Sequence, residues 1–379
     1  MTLIYIVAGE QSGDALGGRL IAALRAARPE LEFAGVGGPQ MAAAGLASLF
    51  PIQELAVMGL LEVLPRIRRI AGLLRQTEAD IRARRPDAVV TIDSPGFTLR
   101  LLNRLRDSGL KRVHYVAPQV WAWREGRVKH YPGLWDRLLC LLPFEPAFFA
   151  KYGLEARFVG HAVIESGVDS GDSARFRLKY RVAAESPILL ILPGSRRSEV
   201  SRLLPVFGET LKRLAVQFPG LVPVVPVASA VAEHVIAGTQ DWPVRPLIVT
   251  DLADKHDAYA AAAVALTKSG TSTLELALAD VPMVVAYRVH PLTAWIVRRS
   301  VKVAYAAIVN LLLGRMAVPE FIQQDCTAAK LAAAVAELLA GSQAPAQHAA
   351  FAELRGLLTP AAGTPSQAAA AEVLALLQS

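Results

Sequence analysis

Between Val264 and Tyr287 the chain reads VALTKSGTSTLELALADVPMVVAY, and the residue types at its centre suit the holding of a phosphate. Val264–Thr267 is a short apolar run, and the Lys268-Ser269-Gly270-Thr271-Ser272-Thr273 stretch offers backbone N–H groups, hydroxyls and one cation. Leu274 opens an apolar helical stretch whose positive dipole end faces this loop. Glu275 falls within the first turn, where a carboxylate can accept from ribose hydroxyls while the loop holds a diphosphate. The combination suggests a nucleotide-sugar site. Ser and Thr are also good N-caps, and a first-turn acid answers a helix dipole, so this stretch alone fits a structural reading equally well.

Three further loops carry chemistry. Asp93 follows the apolar run Ala88–Ile92 at the carboxyl edge, where open α/β sheets place ligands, and Ser94-Pro95-Gly96 then forces a turn. An Asx-turn aspartate is the structural alternative. Glu10, Ser12 and Asp14 occupy the equivalent loop after Leu3–Ala8, with capping an equal explanation for Asp14. Arg196 stands in a Pro-Gly-Ser-Arg loop after Ile188–Leu192, where a guanidinium can bond a phosphate through two N–H groups. Glu199 then serves as a helix-cap acid. His114 begins a strand and reads as a core histidine, whereas His161 stands at the expected domain junction.

The elements that must position these loops alternate. Apolar runs at Leu3–Ala8, Phe33–Val36, Ala88–Ile92, Arg112–Val116, Leu138–Leu142 and Arg157–Val159 are separated by helical stretches, the first of them Ala15–Ala27. The pattern restarts at Ile188–Leu192 and continues through Val222–Val227, Leu247–Val249, Val264–Thr267 and Met283–Ala286. This is the signature of parallel sheets covered by helices, an α/β fold of two Rossmann-like domains. The boundaries expected are 1–164 for the first domain and 175–345 for the second, with Glu165–Ala174 as linker. A C-terminal helix near 352–379 is expected to pack back on the first domain. The dinucleotide fingerprint is missing: glycines after the first strand fall at Gly9, Gly13 and Gly17, and Gly35-Val36-Gly37-Gly38 replaces the acidic ribose ligand.

Composition narrows the classes. At 379 residues the chain can bury two cores, and 53% apolar against 19% charged residues argues against disorder. No apolar run is long enough to span a bilayer and no signal peptide is readable, so a cytoplasmic location is expected. Cys140 and Cys326 lack metal-site or redox spacing, and no DxD triplet or metal-ligand cluster is present, so neither metal nor cofactor is expected. The formal charge of +7 is concentrated in part at Arg66, Arg68, Arg69, Arg75, Arg82, Arg84 and Arg85, which punctuate an apolar segment. Stacking aromatics are not interleaved there, which favours an acidic lipid surface over nucleic acid. Val57, Met58, Leu60, Leu61, Val63 and Leu64 supply the apolar side of such an interfacial helix, with an ordinary core-facing helix as the alternative.

Taken together the motifs resemble the lipid-A-disaccharide synthase family, inverting glycosyltransferases of the GT-B type. The resemblance rests on AGEQSGDALGG (Ala8–Gly18), GVGGPQM (Gly35–Met41), MGLLEVLP (Met58–Pro65) and IDSPGF (Ile92–Phe97). It continues through HYVAPQVWAWREGRVK from His114, LPFE from Leu142, Gly160-His161, LPGSRRSEV from Leu192, KSGTSTLEL from Lys268 and NLLLGRMAVPEFIQQDC from Asn310. One departure is Ala162, where the family has proline after Gly-His.

The resemblance implies an active site in an inter-domain cleft. It also implies transfer of 2,3-diacylglucosamine from its UDP conjugate to the 6-hydroxyl of 2,3-diacylglucosamine 1-phosphate, giving the β-1,6 disaccharide 1-phosphate and UDP at the inner membrane of a Gram-negative bacterium. On that reading Asp93 is the general base, with Glu10 as the alternative. Arg196, Ser269, Gly270, Thr271, Glu275, Asn310 and Gln324 hold the donor, and Ser12, Asp14 and His161 serve the acceptor. Rival readings are a different UDP-amino-sugar transferase or epimerase of the same architecture, and a noncatalytic UDP-sugar-binding membrane protein.

Overall fold

The computed structural model describes residues 2–55, 60–290 and 303–378, with the backbone alone described over 60–66. The chain forms two compact units, Met1–Ala162 together with Leu358–Ser379, and Val163–Leu357.

The first unit is built on a six-stranded sheet of β1 (Leu3–Ala8), β2 (Glu32–Val36), β3 (Ala88–Ile92), β4 (Lys111–Tyr115), β5 (Arg137–Cys140) and β6 (Ala156–Phe158). The spatial order is β2-β1-β3-β4-β5-β6 and every pairing is parallel. Residues 4–8 of β1 and all of β3 are buried. That is why both strands are unbroken apolar runs instead of alternating ones: helices cover both faces of a parallel sheet. The order reverses between β1 and β3, so their carboxyl ends diverge into loops on either side of a switch point.

The helix Gln11–Ala27 lays Leu20, Ile21 and Leu24 on Ile4 and Ile6, and the helix Pro365–Gln378 adds Val373 and Ala369 to the same core. The end of this last helix is fastened electrostatically. Lys111 Nζ donates to the Leu376 carbonyl at 2.7 Å and Arg137 pairs with Glu372 at 2.7 Å, placing cations where the last carbonyls lack partners.

The helix after β1 begins at Gln11, not at Ala15 as expected, so Ser12 and Asp14 are helical. Its glycines serve packing. A Cβ on Gly17 would lie 2.5 Å from Met41 Sδ, and one on Gly18 2.9 Å from the Gln40 carbonyl. Close approach of the 39–43 segment leaves room only for glycine at these two positions.

The second unit holds β7 (Ile188–Leu192), β8 (Val222–Pro226), β9 (Leu247–Val249), β10 (Val264–Lys268), β11 (Met283–Tyr287) and β12 (Glu320–Ile322). They are ordered β12-β11-β10-β7-β8-β9, again all parallel. This is the Rossmann order, with its switch point between β7 and β10. The helix Arg197–Gln217 buries Leu203, Phe207, Leu211 and Leu214 against Leu189 and Leu266. β12 was not read from the sequence; it is three residues long and half-exposed, too short for a periodic signal. Among the described residues no helix is long and apolar enough to cross a membrane.

Candidate active site

In the second unit the loops after β7, β8, β9 and β10 enclose a pocket of about 370 Å³ at the carboxyl edge of the sheet. Gly194 and Ser195 form one wall, Asp251, Lys255 and Tyr259 another, and Lys268 with Gly270, Thr271, Ser272 and Glu275 a third. A volume of this order suits a small ligand. Lys268 ends β10 and its ammonium lies 3.1 Å from a Glu199 carboxylate oxygen. A Cβ on Gly270 would come 3.3 Å from that ammonium, so glycine keeps the turn close to the cation.

The helix opened by this turn, Ser272–Leu278, is two turns long, and its N-cap Thr271 makes no side-chain cap bond. The turn's own N–H groups and Lys268 therefore carry more of the positive field than a long helix dipole would. Glu275 is held at the pocket wall by Lys255 at 2.7 Å, with Tyr259 donating to the same oxygen at 3.3 Å.

Several expected donor residues lie elsewhere. Ser269 is buried and its hydroxyl donates to the Ala306 carbonyl at 2.6 Å, which turns it from the pocket. Asn310 is fully buried and its amide is committed on both sides. It donates to Val318 O and Glu320 and accepts from the N–H groups of Ala317 and Val318, at 2.6 to 2.9 Å. Asn310, on the helix Ile308–Leu313, thus fixes the 317–318 segment that leads into β12, with its amide fully committed to protein partners. Gln324 is exposed in the turn after β12. Arg196 precedes the Arg197–Gln217 helix, is largely exposed, stands 3.5 Å from Glu199 and is not part of the pocket wall.

In the first unit Asp93 sits directly after β3 on a backbone of positive φ, 50° at Asp93 and 48° at Ser94. Two successive left-handed non-glycine residues are costly and mark a turn fixed by its surroundings. The Asp93 N–H donates to Tyr115 O at 2.9 Å, and its carbonyl accepts from the Thr98 hydroxyl at 2.6 Å. A Cβ on Gly9 would meet Ser94 Oγ at 2.3 Å, so the loops after β1 and β3 are in contact at the switch point. The Asp93 carboxylate lines a cavity of about 540 Å³ with Pro95, Arg100, Pro118 and Trp123. Burial pushes its carboxyl above the usual aspartate range, opposed by a hydrogen bond from the Ser94 backbone.

Glu10 is the residue before the Gln11–Ala27 helix and does not cap it. Ser12 is exposed on the first turn of that helix. Asp14 is buried, and its carboxylate accepts from the N–H groups of Gly38, Gln40 and Met41 at 2.7 to 3.0 Å. Asp14 therefore holds the start of the 39–43 helix and not the start of its own, so the cap it makes is to a segment distant in sequence and not the one its position had offered. His161 is buried, with its backbone N–H donating to Leu358 O at 2.9 Å. Burial drives its pKa down to about 4, so it is neutral near pH 7. His114 is likewise a core group, 2.8 Å from the Thr91 hydroxyl and stacked on Trp135, with its pKa pushed down to about 3 by burial.

Val57 and Met58 lie outside the described residues, as do the side chains of Leu60, Leu61, Val63 and Leu64 on the helix Leu60–Arg84. One feature that sequence reasoning missed is the role of Lys255 in holding Glu275. Nothing local signals it, because Lys255 comes from the helix after β9.

Residues 4–373 match the model of the lipid-A-disaccharide synthetase family. The lipid-A-disaccharide synthase of Gluconobacter oxydans is 58% identical over 376 residues, covering 99% of this chain and 91% of that protein. The corresponding protein of Granulibacter bethesdensis is 54% identical over 387 residues, covering 99% and 98%. Among solved structures, UDP-GlcNAc 2-epimerase from Neisseria meningitidis bound to UDP-GlcNAc aligns with a TM-score of 0.64 at 11% identity, covering 100% of both chains. The calicheamicin glycosyltransferase CalG4 aligns at 0.60 with 18% identity, covering 100% and 98%. At such identities the structural likeness is one of fold, the GT-B pairing of two Rossmann-like halves.

Proposed function

This chain belongs to the lipid-A-disaccharide synthetase family and is a UDP-sugar-dependent glycosyltransferase of lipid A synthesis, and from that premise we propose a substrate pair, a base and a leaving-group site. The donor is UDP-2,3-diacylglucosamine and the acceptor 2,3-diacylglucosamine 1-phosphate. Asp93 takes the proton of the acceptor 6-hydroxyl as that oxygen bonds to C1 of the donor sugar. The C1–O bond to the diphosphate breaks with inversion at C1, and UDP departs.

The observation that carries this reading is the Asp93 carboxylate itself. It is desolvated, held on an over-determined turn and exposed to a cavity large enough for a sugar. A raised pKa makes a carboxylate a stronger base. In the second unit the departing diphosphate is served by Lys268 and the N–H groups of the 270–272 turn, and the ribose by Glu275. Arg196, exposed and 3.5 Å from Glu199, contributes long-range attraction for the anionic donor. Glu10 is the second candidate for the base, supported by its place at the adjoining strand end.

Association with an acidic membrane surface is part of the proposal. On the helix Leu60–Arg84 the described side chains begin at Ile67, which is 50% exposed and followed by the exposed Arg68 and Arg69. An apolar residue beside cations suits insertion at a headgroup boundary. Mass spectrometry of reactions containing both lipids, with either one omitted in controls, tests the substrate pair. Disaccharide 1-phosphate formed only when both are present is the expected result. Altered donor without acceptor would favour an epimerase, and binding without turnover would favour a carrier of UDP-sugar.

A further inference from the structure

The Asp93 cavity is strongly cationic in a way the base mechanism does not use. Besides Asp93 its wall contains three guanidinium groups, those of Arg100, Arg124 and Arg127. They arrive from separate elements: Arg100 from the helix Pro95–Arg104 that follows β3, and Arg124 and Arg127 from the short helical turns Val120–Trp123 and Glu125–His130 that follow β4. Convergence of three cations on one 540 Å³ cavity opposes their mutual repulsion and needs a reason.

Internal pairing does not supply it. Among the described residues, none of the three takes part in an ion pair, although other arginines of this unit do: Arg104 with Glu78, Arg112 with Asp136 and Arg137 with Glu155. The acid nearest in sequence, Glu125, accepts a hydrogen bond from the Tyr152 hydroxyl at 2.6 Å. Arg124 is held in place by an aromatic face, its guanidinium carbon 3.7 Å from the Trp123 ring centroid. Trp123 lines the same cavity and is 48% exposed, so this stacking fixes the fork at low entropy cost while leaving its N–H groups open. Three open guanidinium groups against one carboxylate leave the cavity with two excess positive charges, a match for a phosphate monoester dianion.

We infer that Arg100, Arg124 and Arg127 form the subsite for the 1-phosphate of the acceptor sugar. This inference rests on the acceptor reading above and extends it to how the acceptor is selected. Bonds to the phosphate at one end of the sugar aim the 6-hydroxyl at the other end toward Asp93, so the subsite is both a specificity determinant and a positioning device. An acidic phospholipid headgroup shares the same phosphate chemistry and is the source to be separated.

The test replaces each arginine singly with Gln and measures kcat/KM with two acceptors, diacylglucosamine 1-phosphate and its methyl glycoside, which lacks phosphate. Each assay is run in neutral detergent with and without phosphatidylglycerol, and UDP binding is followed as a folding control. Wild type is expected to prefer the phosphate acceptor. Each variant is expected to lose roughly tenfold to a hundredfold on it, chiefly through KM, as loss of a charge-assisted hydrogen bond implies. On the methyl glycoside the same variants should change little, and Arg→Lys should recover part of the loss. Equal losses on both acceptors, losses that appear only with phosphatidylglycerol, or a wild type indifferent to the phosphate would each overturn the subsite while leaving the transferase reading intact. Absence of product from wild type with either acceptor, UDP still binding, would overturn the acceptor reading and the subsite with it.

Discussion

Glu199 and Lys268 join the two strand ends that flank the switch point of the second unit: the carboxylate on the helix after β7 lies 3.1 Å from the ammonium that ends β10. Both side chains are mostly buried, at 15% and 19% exposure, so the pair is far less screened than a surface bridge. The other Glu199 oxygen is buried with no hydrogen-bond partner and would meet a Cβ on Gly194 at 2.5 Å. An acid wedged beneath the Gly194 turn thereby aims a cation at the pocket.

Removing the cation alone should therefore harm two separable properties. Lys268→Met strands a buried carboxylate and is expected to lower stability by roughly 2–4 kcal/mol, while also weakening UDP binding. Adding Glu199→Gln should restore most of the stability and none of the affinity. Urea unfolding and titration calorimetry on the two variants check this; recovery of UDP affinity in the double variant would show that Lys268 is structural only.

Asn310 is expected to behave as a fold residue. Asn310→Ala leaves the N–H groups of Ala317 and Val318 without their acceptor, which should cost about 2–4 kcal/mol for buried groups left unsatisfied. At a temperature where the variant stays folded, its KM for the donor should be close to that of wild type. A large KM effect with unchanged stability would return Asn310 to the donor site.

Stability should fall on mild acidification. The folded pKa of His161 is about 4, below the ordinary value of 6.5, so the unfolded chain binds the proton more readily over that interval. Folding free energy is then full above about pH 6.5 and lost as pH drops toward 4, with His114 acting in the same direction. Thermal midpoints measured from pH 7.5 to 4.5 should decline, and less steeply for His161→Gln. Identical slopes for the two proteins would remove His161 from this account.

Gly9 offers a steric test of the base. Gly9→Ala places a methyl group against Ser94, and relief requires movement of the turn that bears Asp93. A stability loss of roughly 1–3 kcal/mol from overpacking is expected, with a fall in kcat that exceeds any change in UDP affinity. Unchanged kcat would mean that the Asp93 turn tolerates displacement.

The strands were legible because a parallel sheet covered on both faces leaves continuous apolar runs, as in Leu3–Ala8, Ala88–Ile92 and Ile188–Leu192, whose predicted limits match those observed. The start of the first long helix was not, since Ser12 and Gly13 read as part of a loop, whereas Gly13 lies in the helix with room for its backbone to pack against Ala8 and Ile92. Of the site, the loops could be placed from the strand ends, but the direction of each side chain could not. Ser269 faces Ala306, Asp14 serves the N–H groups of 38–41 and Glu275 is held by Lys255, all through partners distant in sequence that no local pattern encodes. The family resemblance supplied names for these positions, and packing decides which of them can still reach a ligand.

The central claim is that Asp93 is the base, and Asp93→Asn tests it most directly. Asparagine tolerates the left-handed backbone, and it removes a carboxylate whose ionisation burial disfavours. Because the folded pKa is raised, the acid's contribution to stability is present at low pH and is lost as pH rises through that pKa. The variant should thus unfold at the same or a higher temperature at pH 7 and bind UDP normally, while disaccharide formation falls by at least about a hundredfold, as loss of a general base implies. In wild type, kcat/KM should decline with falling pH through an apparent pKa above that of an ordinary aspartate. A folded Asp93→Asn protein that forms disaccharide at the wild-type rate would contradict the assignment and pass the role to Glu10.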